Sequence, residues 1–358
     1  MLDKGTIELP IPVTPKRLKY YSSTAQTTAI MRHNLKWAKT GKGSPRFQFF
    51  YLMLPCACNQ RCRGCFMGQD KSKLPKELDG PFFNDRDLQA ICGFAKKHGA
   101  QAAVHSGGGE LFTWPGAFDY IERIAGFGLR MMVFTNGTLL TPADIKRLNE
   151  LEVALTVSLR DTAEKPHNEI VGYPGFRKSM ATIETALTEG MHLDNRLAVE
   201  IPVIQSNEGR IINDLLPVLR VLGIVPMIEE YILTSTSQTE RRCAHSFAQA
   251  RAFFKRLASK DAQLGIDWAP ESGQRMIGEP KCRRPLFSFC VYPNGEIVNC
   301  PTDMQSHGNF RRESLTGIFY SRRFRKALSG YSLCPCSKFY TGGDEDIPPN
   351  LPQHLKES

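Results

Sequence analysis

Short apolar runs alternate with amphipathic stretches through most of the chain. From Phe47 onward the apolar runs occupy residues 47–54, 101–105, 129–134, 153–159, 197–204 and 224–232. Each has strand length and is bounded by polar or glycine-containing segments. Between them the pattern predicts helices over residues 85–98, 116–127, 142–148, 176–189 and 210–222. Start signals support two of these: Asn84 has Asp87 three residues on, and Thr141 precedes Pro142. Gly99 and Gly190 stand where helix C-caps belong. Near-continuous apolar strands separated by helices predict a parallel sheet covered by helices. Six such units predict an α/β fold, a barrel or partial (β/α)6 barrel, with its chemistry at the C-terminal ends of the strands.

The pattern changes after the sixth unit. A longer helix is predicted over residues 240–259, then a hairpin over 287–300 turning at Asn294-Gly295, then a helix over 314–328. The expected organisation is an N-terminal extension (1–45, with a helix at 29–39), the partial barrel (46–235) and a connecting helix (236–267). A small α+β domain (268–340) and a tail (341–358) follow.

Of the 358 residues, 41% are hydrophobic and 23% charged, ordinary for a globular protein. No apolar run of membrane-spanning length and no signal-peptide pattern appears, so a cytoplasmic protein without a membrane partner is expected. The formal net charge is +10, with basic pairs at Arg241-Arg242, Arg283-Arg284, Arg311-Arg312 and Arg322-Arg323. Such pairs read first as solvated faces and second as a field for anionic ligands. No basic run with interleaved aromatics accompanies them, so no nucleic-acid partner is expected.

The eleven cysteines change the picture, because disulfides are rare in the cytosol. Four lie between Cys56 and Cys65 and five between Cys282 and Cys336. Cys92, inside a predicted helix, reads as a small buried hydrophobe. Clustered thiols suggest metal. In Cys58-Asn59-Gln60-Arg61-Cys62-Arg63-Gly64-Cys65, three thiolates directly after the first strand can hold three irons of a four-iron cluster and leave one iron open. The bland alternative is zinc held with the help of Cys56, although zinc sites favour pairs of pairs.

Cys58-x3-Cys62-x2-Cys65 resembles the signature of radical S-adenosylmethionine (radical SAM) enzymes. The resemblance implies a [4Fe-4S] cluster whose open iron binds S-adenosylmethionine, which is cleaved to a 5′-deoxyadenosyl radical. That family has an aromatic residue, an adenine contact, just before the third cysteine; here the position is Gly64, and Phe66 follows instead. Ser106-Gly107-Gly108-Gly109-Glu110 resembles the family's Gly-Gly-Glu motif, which assigns Gly108, Gly109 and Glu110 to the methionine amino group. By the same resemblance Thr135 and Asn136 line the cofactor and Ser158 contacts its ribose or carboxylate. Val203 and Asn207 pack and cap adenine; core packing and a helix cap are their bland alternatives.

Cys282-x12-Gly295-x4-Cys300 followed by Cys334-Pro335-Cys336 resembles the family's auxiliary-cluster extension, called SPASM, or its shorter single-cluster form, twitch. It implies an auxiliary [4Fe-4S] cluster on Cys282, Cys300, Cys334 and Cys336. One residue instead of two separates the last pair, which makes Cys290 a competing ligand; a structural zinc knuckle is the alternative.

The expected activity is hydrogen abstraction from a carbon of a small polar, sugar-containing metabolite, leading to dehydrogenation, epimerisation or group loss as in antibiotic tailoring. An electron donor such as flavodoxin or ferredoxin is the expected partner. A peptide-maturing enzyme of the same superfamily is the second expectation, and a non-enzymatic metal- or RNA-binding protein the third. Cys243 is the candidate hydrogen-atom donor, with an inert thiol as its alternative. Glu230 is the candidate base, or else an ion-pair partner of the nearby arginines.

Overall fold

The computed structural model describes residues 24–65, 78–231, 245, 247–265, 284–301 and 303–330. Helix α1 (Thr24–Thr40) precedes strand β1 (Phe49–Leu52). There follow α2 (Asp85–Lys97), β2 (Ala102–His105), α3 (Ala117–Gly126), β3 (Arg130–Thr135), α4 (Pro142–Glu150), β4 (Ala154–Ser158), α5 (Glu164–Val171), α6 (Phe176–Thr188) and β5 (Leu197–Val203). Next come α7 (Glu208–Arg210), a π-helical turn (Ile211–Leu215), α8 (Leu216–Leu222), β6 (Val225–Glu230) and α9 (Phe247–Gln263). The chain continues with β7 (Ser288–Val291), β8 (Glu296–Cys300), β9 (Asp303–Asn309), α10 (Leu315–Tyr320) and α11 (Arg322–Ser329).

The nine strands among the described residues form one sheet in the order β6-β5-β4-β3-β2-β1-β7-β8-β9. Strands β1 to β6 pair in parallel, the arrangement of a partial (β/α)6 barrel. Strand β7 also joins β1 in parallel, while β8 and β9 return antiparallel. The C-terminal hairpin thus extends the main sheet and builds no sheet of its own.

Side-chain alternation divides the strands between two cores. One face packs Phe50, Leu52, Val133, Leu155, Val157, Val199 and Ile201 against the helices. The other carries Tyr51, Met53, Val104, Cys290, Tyr292 and Val298 into an inner cluster. Predicted helix starts hold: Asn84 and Thr141 each close a reciprocal capping box with the acid three residues on, Asp87 and Asp144. Cys92 is fully buried in the helix-side core, as expected.

Three elements depart from the sequence pattern. Helix α5 was not predicted; its Pro166 lies in the first turn, where Pro is tolerated. Strand β9 has polar residues and is recruited by pairing with β8. The single helix expected over 314–328 is split at Ser321, whose extended backbone (ψ 151°) lets its hydroxyl accept from Phe324 N–H and cap α11.

The two ends of the described chain pack together. Asn34 of α1 donates to the carbonyls of Arg46 (2.6 Å) and Leu286 (2.8 Å). The rings of Phe47, Phe289 and Phe319 meet at centroid distances of 4.7, 4.8 and 5.1 Å, and Trp37 lies against Tyr320 and Phe324.

Helix α9 is fastened by a buried ion pair. Arg220 donates to both oxygens of Asp261 (2.8 and 2.6 Å), the side chains being 3% and 1% exposed. Removing one partner strands a charge, so Asp261→Ala should cost about 3–5 kcal/mol in urea denaturation. Replacing both residues by apolar side chains (Arg220→Met with Asp261→Leu) should recover most of that loss. An Asp261→Ala loss within about 0.5 kcal/mol would mean that the pair does not fasten the helix.

Candidate active site

The loops following β1, β2 and β3 meet at one end of the sheet. Gly107, Gly108 and Gly109 after β2 have φ of +104°, +85° and +123°, a region that L side chains rarely enter. Their neighbours demand glycine as well. A Cβ on Gly108 would fall against the Leu54 carbonyl, and one on Gly109 against the carbonyls of Cys56 and Ala57. The glycine run is therefore the bed on which the chain lies as it enters the cysteine loop. Ala57 carbonyl accepts from Glu110 N–H (2.8 Å) and from the Thr113 hydroxyl (3.0 Å), fixing the contact.

Glu110, 3% exposed, joins the second loop to the third. Its Oε1 accepts from the Thr135 hydroxyl (2.7 Å) and Phe112 N–H (3.4 Å), and its Oε2 from Asn136 N–H (2.7 Å). Burial raises its pKa against these hydrogen bonds. A carboxylate offers about four lone-pair sites, so one acceptor position is left for an ammonium. Asn136 in turn donates to the Asn59 side chain (2.8 Å), and Asn59 donates to Thr138 (2.8 Å), so the third loop grips the cysteine loop.

Helix α5 holds that loop from another side. Arg61 N–H donates to Val171 carbonyl (2.9 Å) and Arg63 N–H to Ile170 carbonyl (2.8 Å). A turn brings Cys65 N–H to Cys62 carbonyl at 3.2 Å, with Gly64 at φ +69°. Cys58 is exposed, and Cys62 and Cys65 are half-buried. The thiols act on one another: although the residue is exposed, loss of water around its sulfur, with the charges of Cys62, Glu110 and Cys65, pushes Cys58 up to about 11, and burial and Cys65 raise Cys62. Among the described residues no three His, Cys, Asp or Glu side chains gather as tightly as a single ion needs. Three soft thiol donors in one loop suit the three-point attachment of an iron–sulfur cluster.

The sequence reading passed over Arg160. Just beyond β4, its guanidinium pairs with Glu200 (3.2 Å) and lies beside Cys62 and Cys65. Burial disfavours its charge, but Glu200 and the two thiols outweigh burial and raise its pKa. Ser158 hydrogen-bonds the same Glu200 carboxylate. Asn207 is buried and donates to the carbonyls of Arg160 (3.2 Å) and Pro202 (3.1 Å), while Ile204 N–H donates to it (2.9 Å). Its carboxamide thus ties the ends of β4 and β5. Val203 is fully buried in the helix-side core, the packing alternative for that position.

A second ion pair lies farther along the inner side. Arg284 donates to Glu229 (2.9 Å), the side chains being 17% and 16% exposed, and lies 3.5 Å from the Tyr51 hydroxyl. This corrects the solvated reading of the Arg283-Arg284 pair for Arg284: a carboxylate from β6, distant in sequence, draws it inward. Arg311 is likewise partly buried, with Asp87 at 3.1 Å. Glu229 raises the pKa of Glu200, after burial, so the two pairs are neighbours.

Cys290 and Cys300 are both buried, and Cys300 adds to the burial that raises the Cys290 thiol. Cys290 belongs to the inner cluster, against which Cys65 packs. Cys243, Cys282, Cys334 and Cys336 lie outside the described residues, as does the side chain of Glu230, whose backbone pairs with Val203.

The Radical SAM superfamily model matches residues 53–207, from the end of β1 through the loop after β5. This chain carries a radical SAM domain. It is similar to the AdoMet-dependent heme synthase of Methanosarcina barkeri, 33% identical over 133 residues, 37% of this chain and 36% of that one. The matches thus span about a third of the curated heme synthases, 36% of each of two. A tungsten-containing aldehyde ferredoxin oxidoreductase cofactor-modifying protein of Pyrococcus furiosus is 26% identical over 318 residues, 81% of this chain and 86% of its own length. Among solved structures, Streptococcus suis SuiB bound to S-adenosylmethionine superposes with a TM-score of 0.62 at 14% identity, covering 84% of this chain and 71% of SuiB. The anSMEcpe protein with bound AdoMet has a TM-score of 0.54 at 15% identity, with 78% and 79% covered. These likenesses show that the radical SAM domain keeps the fold of its relatives.

The glycine bed has a direct test. Gly109→Ala should push the Cys56–Ala57 backbone aside and lower the iron bound after anaerobic reconstitution by at least half. Gly126→Ala, in α3 with nothing within 4 Å of the added carbon, should leave iron unchanged. Full iron in Gly109→Ala would show that the loop tolerates the displacement.

Proposed function

We propose that Cys58, Cys62 and Cys65 hold a [4Fe-4S] cluster with one open iron. S-Adenosylmethionine bound there, with one electron from a flavodoxin- or ferredoxin-like donor, would supply a 5′-deoxyadenosyl radical that abstracts hydrogen from substrate. This chain's residues complete the mouth. Glu110 offers its remaining acceptor position to the amino group, Arg160 a guanidinium to the carboxylate, and Ser158 a hydroxyl beside it. Cys282, Cys300, Cys334 and Cys336 are proposed to hold the auxiliary cluster, with Cys290 the alternative fifth thiol.

The substrate we propose is small, polar and sugar-containing. The observation that supports it is the pair of arginine–glutamate ion pairs, Arg160–Glu200 and Arg284–Glu229, on the inner side. Two cations and two anions cancel, so the surface does not select for charge. Alternating donors and carboxylate acceptors instead suit hydroxyl groups. Glu230 remains the proposed base and Cys243 the proposed hydrogen-atom donor, with dehydrogenation, epimerisation and group loss as the outcomes. The proposed setting is the cytoplasm, and no described helix is long and apolar enough to cross a membrane.

Anaerobic reconstitution should give about eight irons per chain. Replacing Cys58, Cys62 and Cys65 together by Ala should remove about half of them and all 5′-deoxyadenosine formation. Continued formation by that variant would overturn the assignment. Turnover in D2O, against a panel of sugar-containing compounds, should separate the outcomes. One solvent deuterium in a product of unchanged formula marks epimerisation through Cys243, and a product two hydrogens lighter marks oxidation.

A further inference from the structure

The mouth beside the cysteine loop has a feature that neither the sequence motifs nor the superfamily match assigns. Position 64 carries no side chain, and the space above it is filled from elsewhere. A Cβ placed on Gly64 would fall on the hydroxyl of Tyr231, with the ring carbons next in line. Tyr231 directly follows β6, the edge strand of the sheet, and is half-buried. A residue from the far edge of the sheet therefore seats its phenol on the bare peptide between Cys62 and Cys65. The Arg160 guanidinium borders the same two cysteines. One cation and one aromatic ring thus flank residues 62–65. That combination matches a ligand with a carboxylate at one end and a flat heteroaromatic group at the other.

We propose that Tyr231 forms the purine-binding wall of the S-adenosylmethionine site, replacing a side chain that Gly64 lacks. The assignment rests on the cofactor reading above. It gives Gly64 a physical reason: with φ at +69° and the phenol in place, no side chain fits there. Stacking of a base on an aromatic ring contributes about 1–3 kcal/mol. Losing it should therefore weaken binding about five- to 150-fold.

The experiment uses the full chain, reconstituted anaerobically, with iron content matched between variants. Dissociation constants for S-adenosylmethionine are measured by equilibrium dialysis for wild type, Tyr231→Phe and Tyr231→Leu. L-Methionine, which has no purine, is measured by competition. The phenylalanine variant should stay within about twofold of wild type, since the ring is kept, while the leucine variant loses about five- to 150-fold. Methionine should compete equally in all three. Tyr231→Leu within twofold of wild type would overturn the proposal, as would equal weakening of both ligands, which marks a merely structural residue. If the wild type itself, with full iron, bound no S-adenosylmethionine, the cofactor reading would fall along with this one. Tight wild-type binding with an unaffected leucine variant would sink this one alone.

Discussion

The candidate site depends on one buried carboxylate. Glu110 sits where three strand-end loops converge, and its hydrogen bonds are what keep them together. Burying an ionised carboxylate is costly unless donors surround it, and here the donors are the hydroxyl and amide of the third loop. The glycine run before it lets its backbone lie on the chain entering the cysteine loop. Because Asn136 also reaches Asn59, the geometry of the thiols is inherited from Glu110 through two polar contacts. A second set of bonds from α5 holds the loop's other side.

The sheet's edge is drawn into the same region. Strand β6 lies at one end of the strand order and β1 near its middle, yet β6 reaches residues beside β1 and β7 through side chains. Glu229 pairs with Arg284 ahead of β7, and Tyr231 covers Gly64 beyond β1. These ties enclose a partly buried surface whose charges balance. The two ion pairs are worth little as stabilisers by themselves, but they place donors and acceptors at fixed points facing the inner side.

The superfamily model matches one part of the chain. The superfamily match ends at Asn207, the residue that ties the ends of β4 and β5. It includes the three thiols, the glycine run, Glu110, Ser158 and Arg160, and leaves out Tyr231, Glu229 and Arg284. The matched part holds most of the machinery proposed for the cofactor, to which Tyr231 is added from beyond it.

Much of this was legible in the sequence. The six parallel strands, most covering helices and the rim position of the cysteine loop follow from apolar runs, caps and spacing, which are local properties of consecutive residues. Thr135, Asn136 and Glu110 could likewise be placed at strand ends by order alone. Partnership across the sheet could not. Arg284 read as solvated because its carboxylate lies on another strand, 55 residues away, and Arg160 was passed over for Ser158 because nothing near it in sequence names Glu200 or Cys62 as its neighbours. Gly64 looked like a missing aromatic until the fold placed Tyr231 above it. The chain's pattern of apolar and polar residues decides which elements form and in what order. Only closure of the sheet decides which charges and rings meet, because those contacts join residues that the sequence keeps far apart.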